Sequence, residues 1–184
     1  MITATRTDRI EDSQALRYRF MEMEDRYRKQ ALAMACALVS LVDLRDAYTG
    51  GHSSRVASMV RATGLRLGLP DVQLDNVVMA ALLHDIGKVG VPDHVLLKRG
   101  RLTTEEFAHI KKHPELGWMA LKNIEDFKPI SLIVLHHHER MDGGGYPGTL
   151  KGNAISLGAR IVAVADSYDA LTTDRPYRSA RGGY

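Results

Sequence analysis

Apolar residues recur at steps of three and four along much of this chain, and no stretch alternates convincingly between apolar and polar residues. The first spacing marks one face of a helix, whereas a half-buried strand requires alternation. The longest such pattern runs from Glu11 to about Asp46 and contains no glycine or proline. The sequence therefore predicts an all-α fold, in which one long helix follows a loose N-terminal end, Met1 to Ile10.

The apolar stripe of the long helix has two interpretations. Charged residues occupy the other face between Arg17 and Lys29. Either the stripe packs on the chain's own domain, or two copies of the helix pair through it and relay a signal from another chain or domain. It consists of Leu16, Phe20, Met23, Tyr27, Ala31, Met34, Leu38 and Leu41.

Further helices are predicted from the same periodicity and from signals at helix ends. A capping box of Thr103 and Glu106 predicts the start of a short helix, and Pro114 suits the first turn of another. The remaining predicted helices run from His52 to about Leu67, Asp71 to about Ile86, Ile130 to about His138, and Ile155 to Leu171.

Composition excludes several classes of protein. The 184 residues are 45% hydrophobic and 26% charged, which excludes a disordered chain. A formal net charge of +3 does not indicate binding to a nucleic acid polymer. Cys36 is the only cysteine, so no disulfide framework exists. The apolar run Ala31 to Val42 is shorter than the ~20 residues that span a bilayer, and no secretory signal is recognisable. We expect a cytoplasmic protein without direct membrane insertion.

The histidines and several aspartates are concentrated where the predicted helices end. A lone buried histidine is usually only hydrogen-bonded, but this many on helical elements predict a metal site. Imidazole and carboxylate ligands without thiolate suit iron, manganese, zinc or nickel. They are too many for one tetrahedral ion, so two ions ~3.5–4 Å apart that share Asp85 are the economical arrangement. The residues concerned are His52, His84, Asp85, His113, His136, His137, His138 and Asp166.

Spacing alone leaves open which of the three consecutive histidines bind metal. On a helix these side chains would point ~100° apart, so all three cannot face one ion.

An ordered set of motifs in this chain resembles the HD-GYP family, bacterial cyclic di-GMP phosphodiesterases of the HD metal-dependent phosphohydrolase superfamily. The resemblance covers about Asp43 to Arg178. It implies an HD-domain helical bundle over residues 46–184, after a tail and lead-in helix over residues 1–45. The motifs are His84-Asp85-Ile86-Gly87-Lys88, His137-His138-Glu139, Asp142-Gly143-Gly144-Gly145-Tyr146-Pro147, Ala165-Asp166-Ser167-Tyr168-Asp169-Ala170-Leu171 and Arg175-Pro176-Tyr177-Arg178.

The resemblance also implies the metal ligands. It places His52, His84, Asp85 and Asp166 around one ion, while Asp85 bridges to a second ion that His113, His137 and His138 complete. His136 stays outside, and His94 and His109 match no motif and are expected on the surface. Tyr48 stands where some members have a glutamate, and phenol, with a pKa of ~10, is a poor ligand. We therefore expect two divalent ions rather than three, iron first and manganese next.

The implied activity is hydrolysis of cyclic di-GMP to pGpG by a hydroxide that two metal ions activate, with GMP as an alternative end product. Asp85 and Lys88 are the implied catalytic residues. The implied substrate-binding residues are Lys88, Gly145, Tyr146, Pro147, Arg175 and Arg178, and the Gly-Tyr-Pro loop is also implied to contact GGDEF-type cyclases.

Three other functions remain open at this stage. One is hydrolysis of another nucleotide such as cyclic GMP-AMP, and another is a weakly active or inactive regulatory module that binds a cyclic dinucleotide or a GGDEF partner. A third, redox chemistry at a di-iron site, is disfavoured by the cations expected to face phosphate. The chain departs from the family at Ser156, usually proline, at Thr149, usually glycine, and at a C-terminus expected to be short. We expect only local adjustment at the two substitutions.

Overall fold

The structure of the protein is a computed structural model that describes residues 6–45 and 51–173, with the side chains of residues 13–42, 44, 45 and 51–173. Within these ranges it contains eight α-helices and no strand, which confirms the predicted all-α fold. The α-helices are α1 Arg6–Arg45, α2 His52–Arg66, α3 Asp71–Leu83, α4 Asp93–Leu96, α5 Thr104–Ile110, α6 His113–Leu121, α7 Lys128–His136 and α8 Leu157–Thr172. Short 3₁₀ turns cover Ile86–Gly90, Glu125–Phe127 and Gly152–Ala154.

The chain divides into two units, residues 1–36 and residues 37–184. In the second unit α2 packs on α3 and α8, and α7 packs on α3, α6 and α8. Among the described residues, seven small or branched side chains at the centre of this bundle are 0% exposed, so water does not reach them. They are Val56, Val60, Ala80, Ala81, Val134, Ala159 and Val162.

Two helix starts form as the sequence signals require. The Thr103 side chain accepts a hydrogen bond from the Glu106 amide, and the Glu106 carboxylate accepts one from the Thr103 amide, so the predicted capping box is present. At the start of α8 the Ser156 hydroxyl accepts a hydrogen bond from the Ala159 amide. The residue that departs from the family pattern therefore serves as a helix cap.

Helix α3 ends at Leu83, three residues before the predicted end, and the 3₁₀ turn Ile86–Gly90 follows. Gly87 explains the change of direction, because this turn lies directly against the start of α6. A Cβ atom at Gly87 would stand 1.9 Å from the carbonyl oxygen of His113. Only a residue without a side chain allows this approach, which places the residues before and after Gly87 beside α6.

Helix α1 differs from its prediction in two ways. It begins at Arg6, so the expected loose end is helical from that residue onward. The large side chains of the predicted apolar stripe are exposed, with Tyr27 64% and Met34 72% accessible, whereas Val39 and Val42 are buried. The buried positions lie one residue further along the helix than Leu38 and Leu41 of the predicted stripe.

None of the described helices has both the length and the apolar character needed to cross a membrane.

Candidate metal centre

The seven predicted metal ligands converge in two groups. We call His52, His84, Asp85 and Asp166 the carboxylate-rich group, and His113, His137 and His138 the imidazole group. In each of the triads His52–His84–Asp85 and His113–His137–His138, one ligand atom per residue lies within 4.8 Å of the others. Asp166 joins the first triad, since its Oδ1 is 3.2 Å from Nε2 of His52 and 3.9 Å from Nε2 of His84.

Helix ends supply most of these side chains. His52 and His113 begin α2 and α6, while His84 and His137 directly follow α3 and α7. Asp166 is the exception, because it lies within α8. A ligand at a helix end can turn toward a neighbouring helix while the helix itself keeps its packing, so ligands from five helices meet in one place.

Backbone carbonyls fix the orientation of three imidazoles. A carbonyl oxygen only accepts hydrogen bonds, so Nδ1 carries the hydrogen in each of these rings. In a neutral ring Nε2 is then left with its lone pair, the arrangement typical of a metal ligand. The three bonds run from His84 to Ala81 (2.7 Å), from His113 to Ile110 (2.8 Å) and from His137 to Val134 (2.6 Å).

The nitrogen lone pairs of this site suit a cation. Nε2 of His113 and Nε2 of His137 are 3.2 Å apart, and both are acceptors. Burial lowers the pKa of His113 to about 4 and that of His137 to about 3, so no proton lies between them near neutral pH. The buried Nε2 of His84 has no hydrogen-bond partner among the described residues. One divalent metal ion in each group would satisfy these nitrogens, so the residues fit the predicted cofactor.

Asp85 connects the two groups. Its Oδ1 lies 3.4 Å from Nε2 of His113, and its Oδ2 lies 3.4 Å from Nε2 of His84. Burial opposes ionisation here, but the Lys88 ammonium, 2.8 Å from Oδ2, and the neighbouring histidines hold the pKa of Asp85 well below its usual range. A carboxylate that faces one group with each oxygen has the geometry of a bridging ligand.

His52 is oriented by a carboxylate instead of a carbonyl. Its Nδ1 is 2.7 Å from Oδ2 of Asp169, and Arg55 binds both oxygens of the same carboxylate at 2.7 and 2.9 Å. Burial lowers the pKa of His52, but its hydrogen bonds to Asp166 and Asp169 outweigh burial and raise it. The same bond to His52 holds the pKa of Asp166 low despite burial.

The Asp142–Gly148 loop lies against the imidazole group. The Tyr146 ring centroid is 4.8 Å from that of His138, and burial together with Asp85 and Asp166 raises the Tyr146 pKa. A Cβ atom at Gly145 would stand 2.4 Å from the Arg140 amide nitrogen, so the loop needs glycine there. Pro147 follows Tyr146 and is half-buried.

The remaining predicted residues have varied placements. Lys88 is 17% exposed and faces Asp85. His136 is half-buried and belongs to neither group, while His94 and His109 are exposed as predicted. Tyr48, Arg175 and Arg178 lie outside the described residues.

A family model described as the HD domain matches residues 36–182. The chain belongs to the HD domain family. This confirms the resemblance noted from the ordered motifs and agrees with the all-α architecture of the described residues. Families of this kind depend on metal ions, which is consistent with the two candidate ligand groups.

Curated relatives of this HD domain bear phosphodiesterase names. It is 42% identical over 161 residues to "Cyclic di-GMP phosphodiesterase response regulator RpfG" of Xanthomonas campestris pv. campestris, covering 86% of this chain and 42% of that protein. It is 44% identical to "Cyclic di-GMP phosphodiesterase PA4108" of Pseudomonas aeruginosa, covering 85% and 39%. It is 37% identical to "3'3'-cGAMP-specific phosphodiesterase 3" of Vibrio cholerae, covering 87% and 34%. The chain thus spans less than half the length of these relatives.

A solved structure resembles the HD domain described here. It is "Bd1817, a HDG"Y"P protein from Bdellovibrio bacteriovorus", with a TM-score of 0.58 and 27% identity. The match covers 65% of this chain and 40% of that one.

Sequence reasoning gave no role to three residues of this HD domain. Asp169 and Arg55 orient His52, and buried Glu139 accepts hydrogen bonds from the amides of Gly148 and Leu150 in the glycine-rich loop. The first two carry a weak signal, since each lies three residues after a predicted ligand and therefore on the same helix face. Glu139 carries none, because its partners are amides nine and eleven residues away.

Proposed function

We propose that the chain is a metal-dependent phosphodiesterase that hydrolyses cyclic di-GMP to linear pGpG or to GMP. The observation that carries this proposal is the pair of ligand groups joined by Asp85, with both of its oxygens engaged. The names of the relatives at 42% and 44% identity support the substrate. The proposal retains a cytoplasmic location and a contact between GGDEF-type cyclases and the Gly-Tyr-Pro loop.

Two divalent cations would be held by the two ligand groups. Nitrogen and oxygen ligands without thiolate suit iron, which we place first, and manganese next. The set is His52, His84, Asp85 and Asp166 for one ion, and Asp85, His113, His137 and His138 for the other. When bound, the cations supply a water of lowered pKa and offset negative charge on the phosphate.

Lys88 would contact the phosphate or protonate the leaving oxygen. Its ammonium lies 2.8 Å from Asp85, and a single point charge at this place can contact a phosphate oxygen or donate a proton to the leaving group. Arg175 and Arg178 are proposed as further phosphate contacts on the basis of the family resemblance. Together these cations would favour an anionic diester.

Tyr146 would bind a base of the dinucleotide. Its raised pKa keeps the phenol neutral, so the ring offers an apolar stacking face and a hydroxyl donor. Gly145 and Pro147 flank it and would shape the same surface. Hydrolysis of mixed cyclic GMP-AMP is the second candidate function, because the 37% identical relative is named for that substrate.

Product analysis tests both candidates. The purified chain, kept anaerobic and loaded with Fe²⁺ or Mn²⁺, is given cyclic di-GMP or cyclic GMP-AMP in separate and competing reactions. We expect pGpG or GMP from the unaltered chain and from a control variant at an exposed carboxylate, Asp126→Ala, but none from His84→Ala/Asp85→Ala. Turnover of the mixed dinucleotide alone would select the second candidate. No product from either, with metal bound, would overturn the proposal.

A further inference from the structure

An exposed face of α1 has the pattern of a coiled-coil seam. Phe20, Tyr27 and Met34 are seven residues apart, and Leu16 and Met23 lie four residues before the first two of them. These are a and d positions of consecutive heptads, the positions that meet in a two-stranded coiled coil. All five side chains are exposed, from 46% at Met23 to 72% at Met34. A row of large apolar side chains this regular needs a partner.

The charges beside this seam are complementary to a second copy in parallel. Arg19 then occupies a g position and Glu24 the following e position, which face each other across a parallel, in-register pair. In an antiparallel pair the g positions face one another, which sets Arg19 against Arg26. Self-complementarity in one orientation favours a copy of this chain over an unrelated helix.

We propose that residues 16–34 of α1 form a parallel, in-register two-stranded coiled coil with a second copy of this chain. Leu16, Phe20, Met23, Tyr27 and Met34 form its seam, and Arg19 pairs with Glu24 of the other copy. The proposal adopts the homodimer interpretation of the stripe.

Sedimentation equilibrium of the full chain tests the seam through a matched pair of substitutions. Met23→Glu places a charge at a d position, whereas Met21→Glu makes the same change two residues away, outside the seam. We expect a dimer for the unaltered chain and for Met21→Glu, and a dissociation constant at least about tenfold higher for Met23→Glu. A monomeric unaltered chain, or equal effects of the two substitutions, would overturn the proposal. A dimer that survives Phe20→Glu/Met23→Glu would also overturn it.

Orientation is tested by crosslinking and by charge exchange. In a Cys36→Ser background, Gln30→Cys puts a thiol at a d position, where only a parallel, in-register pair brings the two copies together. We expect a disulfide dimer on mild oxidation. Arg19→Glu should weaken the dimer, and Arg19→Glu/Glu24→Arg should restore it. No crosslink, or no restoration, would contradict the parallel arrangement.

Arg45, at the end of α1, binds the segment that follows Lys88. The Arg45 guanidinium donates hydrogen bonds to the carbonyls of Lys88 (3.2 Å), Val89 and Val91 (2.7 Å). It also binds the Asp93 carboxylate at 2.7 and 3.0 Å. One planar fork thus holds the backbone on both sides of Gly90, at the end of the turn that carries Lys88.

We infer that Arg45 is a positioning residue for Lys88, an inference that rests on the proposed function. By holding the carbonyl of Lys88, it fixes the backbone from which the ammonium reaches Asp85. A lysine could not replace it, because one ammonium cannot donate to three carbonyls and a carboxylate in this geometry.

A double-mutant cycle separates positioning from a general structural role. We expect Arg45→Gln and Arg45→Lys to lower kcat about tenfold when Lys88 is present and less than about twofold in a Lys88→Ala background. The matched control on α2, Arg61→Gln, should leave kcat unchanged. An equal loss in both backgrounds would overturn the inference.

Hydrogen exchange gives a readout that does not require turnover. The Val91 amide donates to the Lys88 carbonyl at 3.0 Å, so Arg45→Gln should speed exchange of that amide, whereas Arg61→Gln should not. Unchanged exchange at Val91 would overturn the inference even if the chain hydrolysed no dinucleotide. Absent turnover with faster exchange would instead count against the proposed function alone.

Discussion

The two ligand groups use the same side chain in opposite electrostatic settings. In the carboxylate-rich group His52 lies between two aspartates, and its pKa is raised. In the imidazole group the ring hydrogens of His113 and His137 go to backbone carbonyls, burial dominates, and the pKa values fall to about 4 and about 3. Burial also lowers the pKa of His138 to about 3. Carboxylate partners therefore favour a proton on His52, whereas burial disfavours one on His113 and His137.

This difference predicts unequal metal binding. Carboxylates attract a cation strongly, but they also stabilise a proton on the neighbouring imidazole. Neutral imidazoles attract the cation less and hold no proton that must leave first. As pH falls, the carboxylate-rich group should therefore lose its metal ion at a higher pH than the imidazole group. Asp85 contacts both groups, so the loss of one ion should affect the other through this residue.

Substitution of Asp85 should affect both ligand groups at once. Asp85→Ala takes a ligand from both groups, so we expect the loss of both metal ions and a fall in kcat of roughly a thousandfold or more. Metal content per chain by atomic emission and turnover of cyclic di-GMP measure the two effects together. Asp126→Ala, an exposed carboxylate, is the control. Two bound ions and near-normal activity in Asp85→Ala would exclude a bridging role.

The stability of the metal-free protein should reveal the opposite pKa shifts. Histidines of the imidazole group protonate in the unfolded chain near pH 6.5 but in the folded chain only near 3 to 4. Unfolding then takes up protons, so stability is lost as pH falls from about 6.5 toward 4, at up to ~1.4 kcal/mol per pH unit for each residue. His52 acts the other way: its contribution is fully present below about pH 6.5 and is lost as pH rises through its raised pKa.

Urea unfolding at several pH values in the presence of chelator measures these slopes. His137→Asn should flatten the loss of stability between about pH 6.5 and 4 by about one proton. His52→Asn should leave that acid slope unchanged and should instead remove the loss of stability as pH rises above about 6.5. Equal slopes for the unaltered chain and both variants would mean that the two settings do not differ.

Periodicity predicted the helices well, and α1 shows where it fails. Helix α1 carries two apolar stripes. One contains Met34, Leu38 and Leu41, and the other contains Val39 and Val42, which directly follow Leu38 and Leu41. Both repeat with a helical period, so the pattern cannot choose which of them is buried. Only the packing of the second unit decides, and it buries the second stripe.

The candidate site was predicted through the ordered motifs, whereas its supporting contacts were not. Spacing could not choose among the three consecutive histidines, and the chain turns after His136 so that only His137 and His138 join the imidazole group. The roles of Asp169 and Glu139 depend on hydrogen bonds between segments 117 and 9 to 11 residues apart. No local pattern encodes such distances.

Loss of the Asp169 carboxylate should affect only the carboxylate-rich group. Asp169→Asn keeps the shape of the side chain but removes the charge that orients His52. Such changes typically cost 10–100-fold in metal affinity, and we expect a loss of roughly tenfold or more here. Competition with a chelator measures the affinity of each ion. Asp142→Asn, an exposed carboxylate that binds Arg140, is the control. Equal weakening of both ions would contradict the assignment of Asp169 to one group.

The loop beside the imidazole group should respond to Glu139 without a change in metal content. Glu139→Gln weakens the acceptance of two amide hydrogen bonds, from Gly148 and Leu150, that hold the loop near Tyr146. We expect KM for cyclic di-GMP to rise about fivefold to tenfold, with little change in kcat. The exposed Glu115→Gln is the control. Loss of metal in Glu139→Gln would show that this carboxylate supports the ligands rather than the loop.

Thr149 gives the smallest effect, and it touches neither ligand group. Its φ is 54°, a left-handed conformation that costs a β-branched residue about 1–2 kcal/mol and costs glycine little. Thr149→Gly relieves that cost but gives the unfolded chain more freedom and removes a hydroxyl bond to the Gly148 carbonyl. The balance should be a stabilisation of about 0.5 kcal/mol, a rise in Tm of roughly 1–2 °C by calorimetry. Because the loop is proposed to bind substrate and the two groups to bind metal, metal content should stay unchanged. A lower Tm would mean that the hydroxyl bond outweighs the strain.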